Sequence, residues 1–263
     1  MIKCVANVTP ASKKLASLAQ QRGHRTLAEQ AFASLHEAIV TGVLEPGERL
    51  PIEELAEVLE MSPMPIREAL RRLDAAGLVE HVPHRGARVT ELAVDDLREV
   101  YTVRLELEPL AVREAAARFT DADAETARQA LERHLEAVEA ERLGDAWTTH
   151  TEFHFALYDA ADNRWLARLI TPLWETSERY RHASGSVEWR LRERQREHEA
   201  ILEACIAGDP DRASRELHNH LARTANQVSE RMGGRKLFEL YPVEGKGKAK
   251  AAGKRKAKVA AES

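Results

Sequence analysis

The stretch Met61-Ser-Pro-Met-Pro-Ile-Arg-Glu-Ala-Leu-Arg-Arg-Leu73 decides how the N-terminal third of the chain folds. Ser62 offers a hydroxyl as a helix cap. Pro63 then occupies the first helical position, where a missing N–H costs nothing. Pro65 is still in the first turn, so its ring meets no helical carbonyl. From there Ile66, Ala69, Leu70 and Leu73 recur at i, i+3, i+4 and i+7 and make one apolar stripe. Met64, Arg67 and Arg71 fall on the opposite side, with Arg72 beside them. A short helix with an arginine-bearing outer face fits a duplex major groove. A plain surface helix with solvated arginines has the same pattern.

The flanks choose between these. Upstream, Thr26 opens a helix to about Thr41, with Leu27, Ala31, Leu35, Ala38 and Ile39 as its apolar stripe. Gly42 ends it, and Glu45-Pro46-Gly47 makes a turn. A second short helix runs from about Ile52 to Leu59, with Leu55, Val58 and Leu59 inward. Downstream, Gly77 stops the Ser62 helix. Leu78–Val82 and Ala87–Thr90 are short strands, and Pro83-His84-Arg85-Gly86 is the hairpin tip between them. Three helices and a two-stranded hairpin make the winged helix-turn-helix plan.

The chain has 263 residues, enough for two domains. With 43% hydrophobic and 31% charged residues it reads as soluble and globular. No apolar run reaches the roughly 18 residues a membrane span needs. The N-terminus lacks the apolar core of a secretion signal. Cys4 and Cys205 imply no disulfide framework, and a reducing cytoplasm fits. Residues 244–263 hold seven positive side chains and two negative ones, so the overall charge of −4 leaves −9 on the remainder. An acidic body argues against broad coating of nucleic acid and permits a small basic reading surface.

The fold class is therefore mainly α: a winged helix-turn-helix over residues 26–91, then an antiparallel bundle of six to seven helices over 92–240. The bundle helices are read as Val94–Phe119, Glu125–Leu143 (capped by Asp121 or Asp123), Asp145–Ala161, Asn163–Ser184 with a kink at Pro172, Val187–Ala207 and Pro210–Met232. Residues 1–25 read as a flexible basic arm, with a short helix over Ala11–Gln21 as an alternative. Residues 241–263 read as a disordered basic tail, either solubilising or DNA-holding.

Four histidines fall on inward faces. His150 and His154 share a stripe with Trp147, Thr151, Phe155 and Tyr158. His198 shares one with Leu191, Ile201, Leu202 and Cys205, and His220 one with Leu217, Leu221, Thr224 and Val228. A buried neutral imidazole needs partners for both nitrogens. One shared metal ion satisfies a nitrogen from each of the four, and so do separate hydrogen bonds in the core. His134, on a stripe with Leu131, Leu135 and Val138, reads as core or pocket wall. His182 and His218 read as solvated. Glu152 and Glu197 adjoin ligand candidates in sequence but point elsewhere on their helices.

Gly42-Val-Leu-Glu-Pro-Gly-Glu-Arg-Leu50, Glu54–Leu59, Ser62–Leu73, Gly77-Leu-Val79 and Arg85-Gly-Ala-Arg-Val89 together resemble the DNA-binding domain of GntR-family transcription regulators. The resemblance implies that Arg67 and Arg71 contact phosphate or bases and Ser62 phosphate. It puts His84, Arg85 and Gly86 at the wing tip; Met64, from the outer face of the helix, and Arg49, as compensation for arginines the family has and this chain lacks, join the expected reading surface. Two positions depart from the family pattern: Pro63 where Arg usually follows the capping Ser, and Glu53 where many members have Arg. Each absent Arg removes a base contact worth about 1–3 kcal/mol. Arg104-Leu-Glu-Leu-Glu-Pro-Leu-Ala111, His150-Thr-Glu-Phe-His154 with Asn163, Glu197-His198, Ile201-Leu202 and His220-Leu221 resemble the all-helical effector domain (FCD) of the FadR branch. Many of its members hold a metal with one Asp and three His. The three His match His154, His198 and His220, and His150 stands where the Asp would be. A four-His site favours Zn or Ni over Mn or Mg. The resemblance also implies that Arg104 points into the pocket and grips a carboxylate; a surface salt bridge with Glu108 is the alternative.

The expected function is that of a homodimeric, cytoplasmic, nucleoid-associated regulator. It binds double-stranded operator DNA with inverted-repeat half-sites, under control of a small carboxylate, and is not an enzyme. Two rivals stand beside it: a metal-dependent hydrolase, and a ligand-free dimeric DNA-binding scaffold.

Overall fold

The computed structural model describes residues 26–82, 86–184 and 191–242, together with Leu15. The rest of the expected arm, the tail from 243, and His84 and Arg85 of the wing tip lie outside the described residues.

The N-terminal unit opens with α1 (Leu27–Val40), where Thr26 and Glu29 cap each other reciprocally. Leu27, expected in the buried stripe, is instead 52% exposed. It is the first helical residue, before the helix meets the core. After it come β1 (Arg49–Leu50), α2 (Ile52–Val58), α3 (Pro63–Ala75), β2 (Val79–Val82) and β3 (Gly86–Val89). Among the described residues the sheet has three strands rather than two, in the antiparallel order β1-β3-β2, with Leu50 opposite Ala87 and His81 opposite the same residue from β2. Two residues of β1 are too few for an alternation to show in sequence. Gly47 permits this entry into β1: its φ is +78°, a backbone conformation in which an L side chain would be strained.

Ser62 takes the extended cap conformation, but its side chain makes no capping bond. The reason is local. A capping hydroxyl bonds the N–H of the second or third helical residue; the third is Pro65, which has none, so only the Met64 N–H remains as a partner. Ile66, Ala69, Leu70 and Leu73 are buried as the period requires, against Leu35, Ile39, Leu50 and Val89. Leu15 belongs to the same core. Each large side chain so buried contributes about 1.5–3 kcal/mol.

The helical body contains α4 (Val94–Ala116), α5 (Asp121–Glu139), α6 (Leu143–Asp159), α7 (Arg164–Ala183), α8 (Leu191–Ile206) and α9 (Pro210–Arg231). The expected six helices are present, with shifted ends. Thr120, not an aspartate, caps α5, and Asp123 returns the bond to the Thr120 N–H. Tyr101, Phe153, Leu157, Ile170, Ile201, Leu217 and Val228 fill the core. Past α9 the chain folds back along that helix. Asn226 Oδ1 accepts from the Leu237 and Phe238 N–H groups, and Asn219 Oδ1 accepts from the Tyr241 N–H. The two asparagines thus substitute for the backbone partners that an extended segment lacks.

The two units meet along α7. Arg179 donates to the Thr90 carbonyl at 2.7 Å, and His36 of α1 lies beside Glu175. The Tyr180 hydroxyl bonds the Ala93 carbonyl and Asp96 at the start of α4.

Candidate functional site

The third helix of the small unit presents an outward face with Met64, Arg67 and Arg71 all exposed. Arg71 is held by Glu68 through two bonds of 2.8 and 3.2 Å. Arg72 lies over the Phe32 ring at 4.1 Å and so braces α3 against α1. Ser62 is exposed at the head of the helix. Arg49 is exposed on the sheet edge, opposite Arg88. Gly86 opens β3 with φ +84°, where an L side chain would be strained.

The second constellation is internal. His150 and His154 come from α6, His198 from α8 and His220 from α9, and none is more than 5% exposed. Their ring centroids lie 4.6–5.2 Å apart in five of the pairings. One nitrogen from each comes within 4.8 Å of the other three. His154 Nε2 and His198 Nε2 are 3.3 Å apart. Zinc–nitrogen bonds of about 2.0–2.1 Å in a tetrahedron put ligand atoms about 3.3 Å apart.

Neighbouring groups set the tautomers. His220 Nδ1 lies 2.8 Å from Glu197 Oε2 and donates to it, leaving Nε2 as a lone-pair donor. Glu197 also accepts from Arg223 at 3.0 Å. Burial opposes its charge, but the His220 and Arg223 contacts prevail and hold it below the usual carboxylate range. The Tyr158 hydroxyl gives its proton to Glu108 at 2.7 Å, so its oxygen accepts from His154 Nδ1 at 3.2 Å. His154 Nε2 is therefore also bare. His198 Nδ1 has no partner among the described residues. Burial, then the surrounding Arg and His charges, lowers His150, His154 and His198 well below the ordinary histidine range. His220 is lowered by burial against the pull of Glu197. Four neutral imidazoles around one point, two with preset tautomers, are a donor set that fits a borderline divalent ion.

Arg104 is buried, not on the surface. Its fork closes on Glu108 of its own helix, Nε to Oε1 at 2.5 Å and Nη2 to Oε2 at 3.1 Å, while Nη1 donates to Ser177 at 2.5 Å. It lies over the Tyr101 and Trp174 rings at 4.8 and 4.9 Å. A continuous chain of bonds thus runs from Ser177 through Arg104, Glu108 and Tyr158 to His154. Sequence reading offers Glu108 only as a surface partner of Arg104 and Tyr158 only as a member of the inward stripe, and it gives no sign of Ser177. It also set Glu197 aside as facing away from His198. That direction is right within α8, but it carries Glu197 to His220 on α9.

Other polar groups ring the cluster. Arg181 pairs with Glu178, faces His150 Nδ1 at 3.4 Å and lies over Trp147 at 4.6 Å. Arg194 donates to Gln227 at 3.1 Å, and burial pulls it down to about 10. His134 donates from Nδ1 to the Ala146 carbonyl at 2.9 Å, with its ring 5.3 Å from His150. Two histidines expected in solvent are half-buried: the His182 ring lies tilted against Trp147 at 3.9 Å and the His218 ring tilted against Tyr241 at 4.3 Å. Glu152 bonds Arg133 on the outside at 2.8 Å. None of the described helices is long and apolar enough to cross a membrane.

Comparison with known proteins follows the same division. Residues 27–89 match the gntR family of bacterial regulatory proteins, and residues 99–223 match the FCD domain. The chain is 32% identical over 215 residues to the HTH-type transcriptional regulator BphR of Paraburkholderia xenovorans, covering 78% of this chain and 86% of that protein. It is 30% identical over 206 residues to the HTH-type transcriptional repressor GlaR of Escherichia coli, covering 74% and 93%. The solved structure of E. coli McbR/YncC aligns with a TM-score of 0.70 at 27% identity, over 79% of this chain and 99% of that one. The relatives are regulators and not enzymes, which sets the hydrolase alternative aside. An arginine-faced third helix on a winged core, a six-helix body and matches on both halves establish that this chain belongs to the GntR family of transcription regulators and carries an FCD domain.

Proposed function

We propose that this regulator binds operator DNA as a cytoplasmic homodimer, and that a small carboxylate held beside a His-coordinated zinc or nickel ion controls its affinity. The carrying observation is the gathering of His150, His154, His198 and His220 around one point. When bound, the ion would supply a Lewis-acidic positive charge deep in the body. Two of the buried guanidinium groups there are already paired, Arg104 with Glu108 and Arg181 with Glu178. Arg194 has no carboxylate within ion-pair reach among the described residues. Four neutral imidazoles leave the ion's charge uncompensated, so an anion is the ligand that the site favours. Arg104, linked to His154 through Glu108 and Tyr158, and Arg181, beside His150, would receive its carboxylate, with Arg104 exchanging part of its hold on Glu108.

Communication runs through α7. Trp174, Ser177, Glu178 and Arg181 recur at i, i+3, i+4 and i+7 and face the sensor. Glu175 and Arg179 leave the same helix toward His36 and Thr90 of the DNA-binding unit. A ligand that shifts α7 therefore acts on both units.

On the DNA side, Ser62, Arg67, Arg71, Arg49 and the wing at Gly86 contact the duplex, Arg71 after leaving Glu68. Elemental analysis of protein purified without chelator tests the metal. Zinc or nickel is expected in the wild type and absent from a His154→Ala/His220→Ala variant. Wild-type protein without any ion would overturn the reading.

A further inference from the structure

We propose that Met64 reads the methyl group of a thymine in the operator and is a specificity-determining residue of this regulator. The inference rests on the DNA-binding reading above and goes beyond it to the base read.

In a helix-turn-helix the first turn of the recognition helix reaches the base edges, while later turns run back along the backbone. Here that first turn is Pro63, Met64 and Pro65. Hydrogen-bonded readout needs a side-chain donor or a strong acceptor; the two prolines have neither, and Met64 offers only a weakly accepting thioether sulfur. The two prolines also lack an N–H. The polar groups of the outer face begin only at Arg67, one turn further on.

The apolar turn is not part of the core. Ile66, Ala69, Leu70 and Leu73 are buried on the opposite side of α3, whereas Met64 is 72% exposed, more than any other large hydrophobic residue among those described. Single exposed apolar residues are ordinary. What distinguishes this one is its place, at the leading edge of the reading helix between two rings that fix the backbone. The only apolar group a base pair displays in the major groove is the thymine C5-methyl. The flexible thioether is suited to meeting it.

The test starts from the full chain and a random-sequence duplex library. The selected duplex is then synthesised with deoxyuridine replacing each thymidine in turn, which removes only the methyl. One thymine position in each half-site should weaken wild-type binding about 3- to 5-fold on losing its methyl, the effect of withdrawing one buried methyl group. Met64→Ala should bind both duplexes equally. Met64→Gln, of similar length but hydrogen-bonding, should select adenine at the same position. Circular dichroism would verify that both variants remain folded. A duplex enriched without methyl dependence, or a dependence unchanged in Met64→Ala, overturns this inference and leaves the regulator reading intact. Failure to enrich any duplex overturns both.

Discussion

His36 Nε2 on the first helix of the DNA-binding unit lies 3.1 Å from Glu175 Oε2 on α7, the helix whose other face lines the histidine cluster. Both side chains are partly exposed, so the pair contributes less than about 1 kcal/mol to stability. Its expected importance is in transmission. His36→Ala or Glu175→Gln should leave the melting temperature nearly unchanged. Either should reduce the effector-induced change in operator affinity about 2- to 5-fold, a loss of up to about 1 kcal/mol of coupling. Operator titrations with and without the active organic acid read it directly. An unchanged response would remove the α7 route.

Glu197 is predicted to govern metal affinity without touching the ion. Glu197→Gln retains the shape and removes the charge that fixes His220. Metal affinity should fall about 10- to 100-fold, as expected for loss of a carboxylate behind a ligating histidine. Competition against a chromophoric chelator measures this. The Glu152→Gln control, whose carboxylate bonds Arg133 on the outside, should have no effect.

Arg104→Ala should be severely destabilising. It would strand the Glu108 carboxylate, which is fully buried, and leave the Ser177 hydroxyl short of a donor. Removing one member of a buried pair costs about 3–5 kcal/mol. The double variant Arg104→Met/Glu108→Leu should regain most of that stability in chemical denaturation. It should not regain effector response, because the bond chain to His154 is gone.

His182 predicts an acid-sensitive step. Burial against Trp147, then the charge of Arg181, lowers it from 6.5 to about 4. The unfolded chain therefore takes up this proton first as the pH falls. Stability is retained above about 6.5 and lost through the window down to about 4. The ring is only half-buried, so the loss by pH 5 should be about 1 kcal/mol after solvent screening. Denaturation of wild type and His182→Gln at pH 7 and pH 5 should show a smaller loss in the variant.

Much of this was legible in sequence where a period repeats. Ile66, Ala69, Leu70 and Leu73 announced the third helix, and the inward stripes announced the four cluster histidines. The failures have local causes. Leu27 obeys the period but precedes the packed turn. Ser62 is a good cap by type, but the proline three residues on removes one of its two possible partners, and its side chain makes no capping bond. Glu197 reaches its partner across two helices, and no rule about one helix face can show that. The pairing of Arg104 with Glu108, four residues away, is the alternative the sequence offers, and it is buried where a surface bridge is expected. Helical spacing allowed that pair but could not decide whether it was buried.

The most direct test is operator affinity measured on one preparation in three states: stripped of metal, reloaded with zinc, and reloaded in the presence of each of a panel of organic acids. At least one acid should shift the affinity of the reloaded protein about 5- to 150-fold, and the His154→Ala/His220→Ala variant should not respond. Identical affinity in all three states, equal to that of the variant, would contradict the claim that the buried imidazoles control DNA binding.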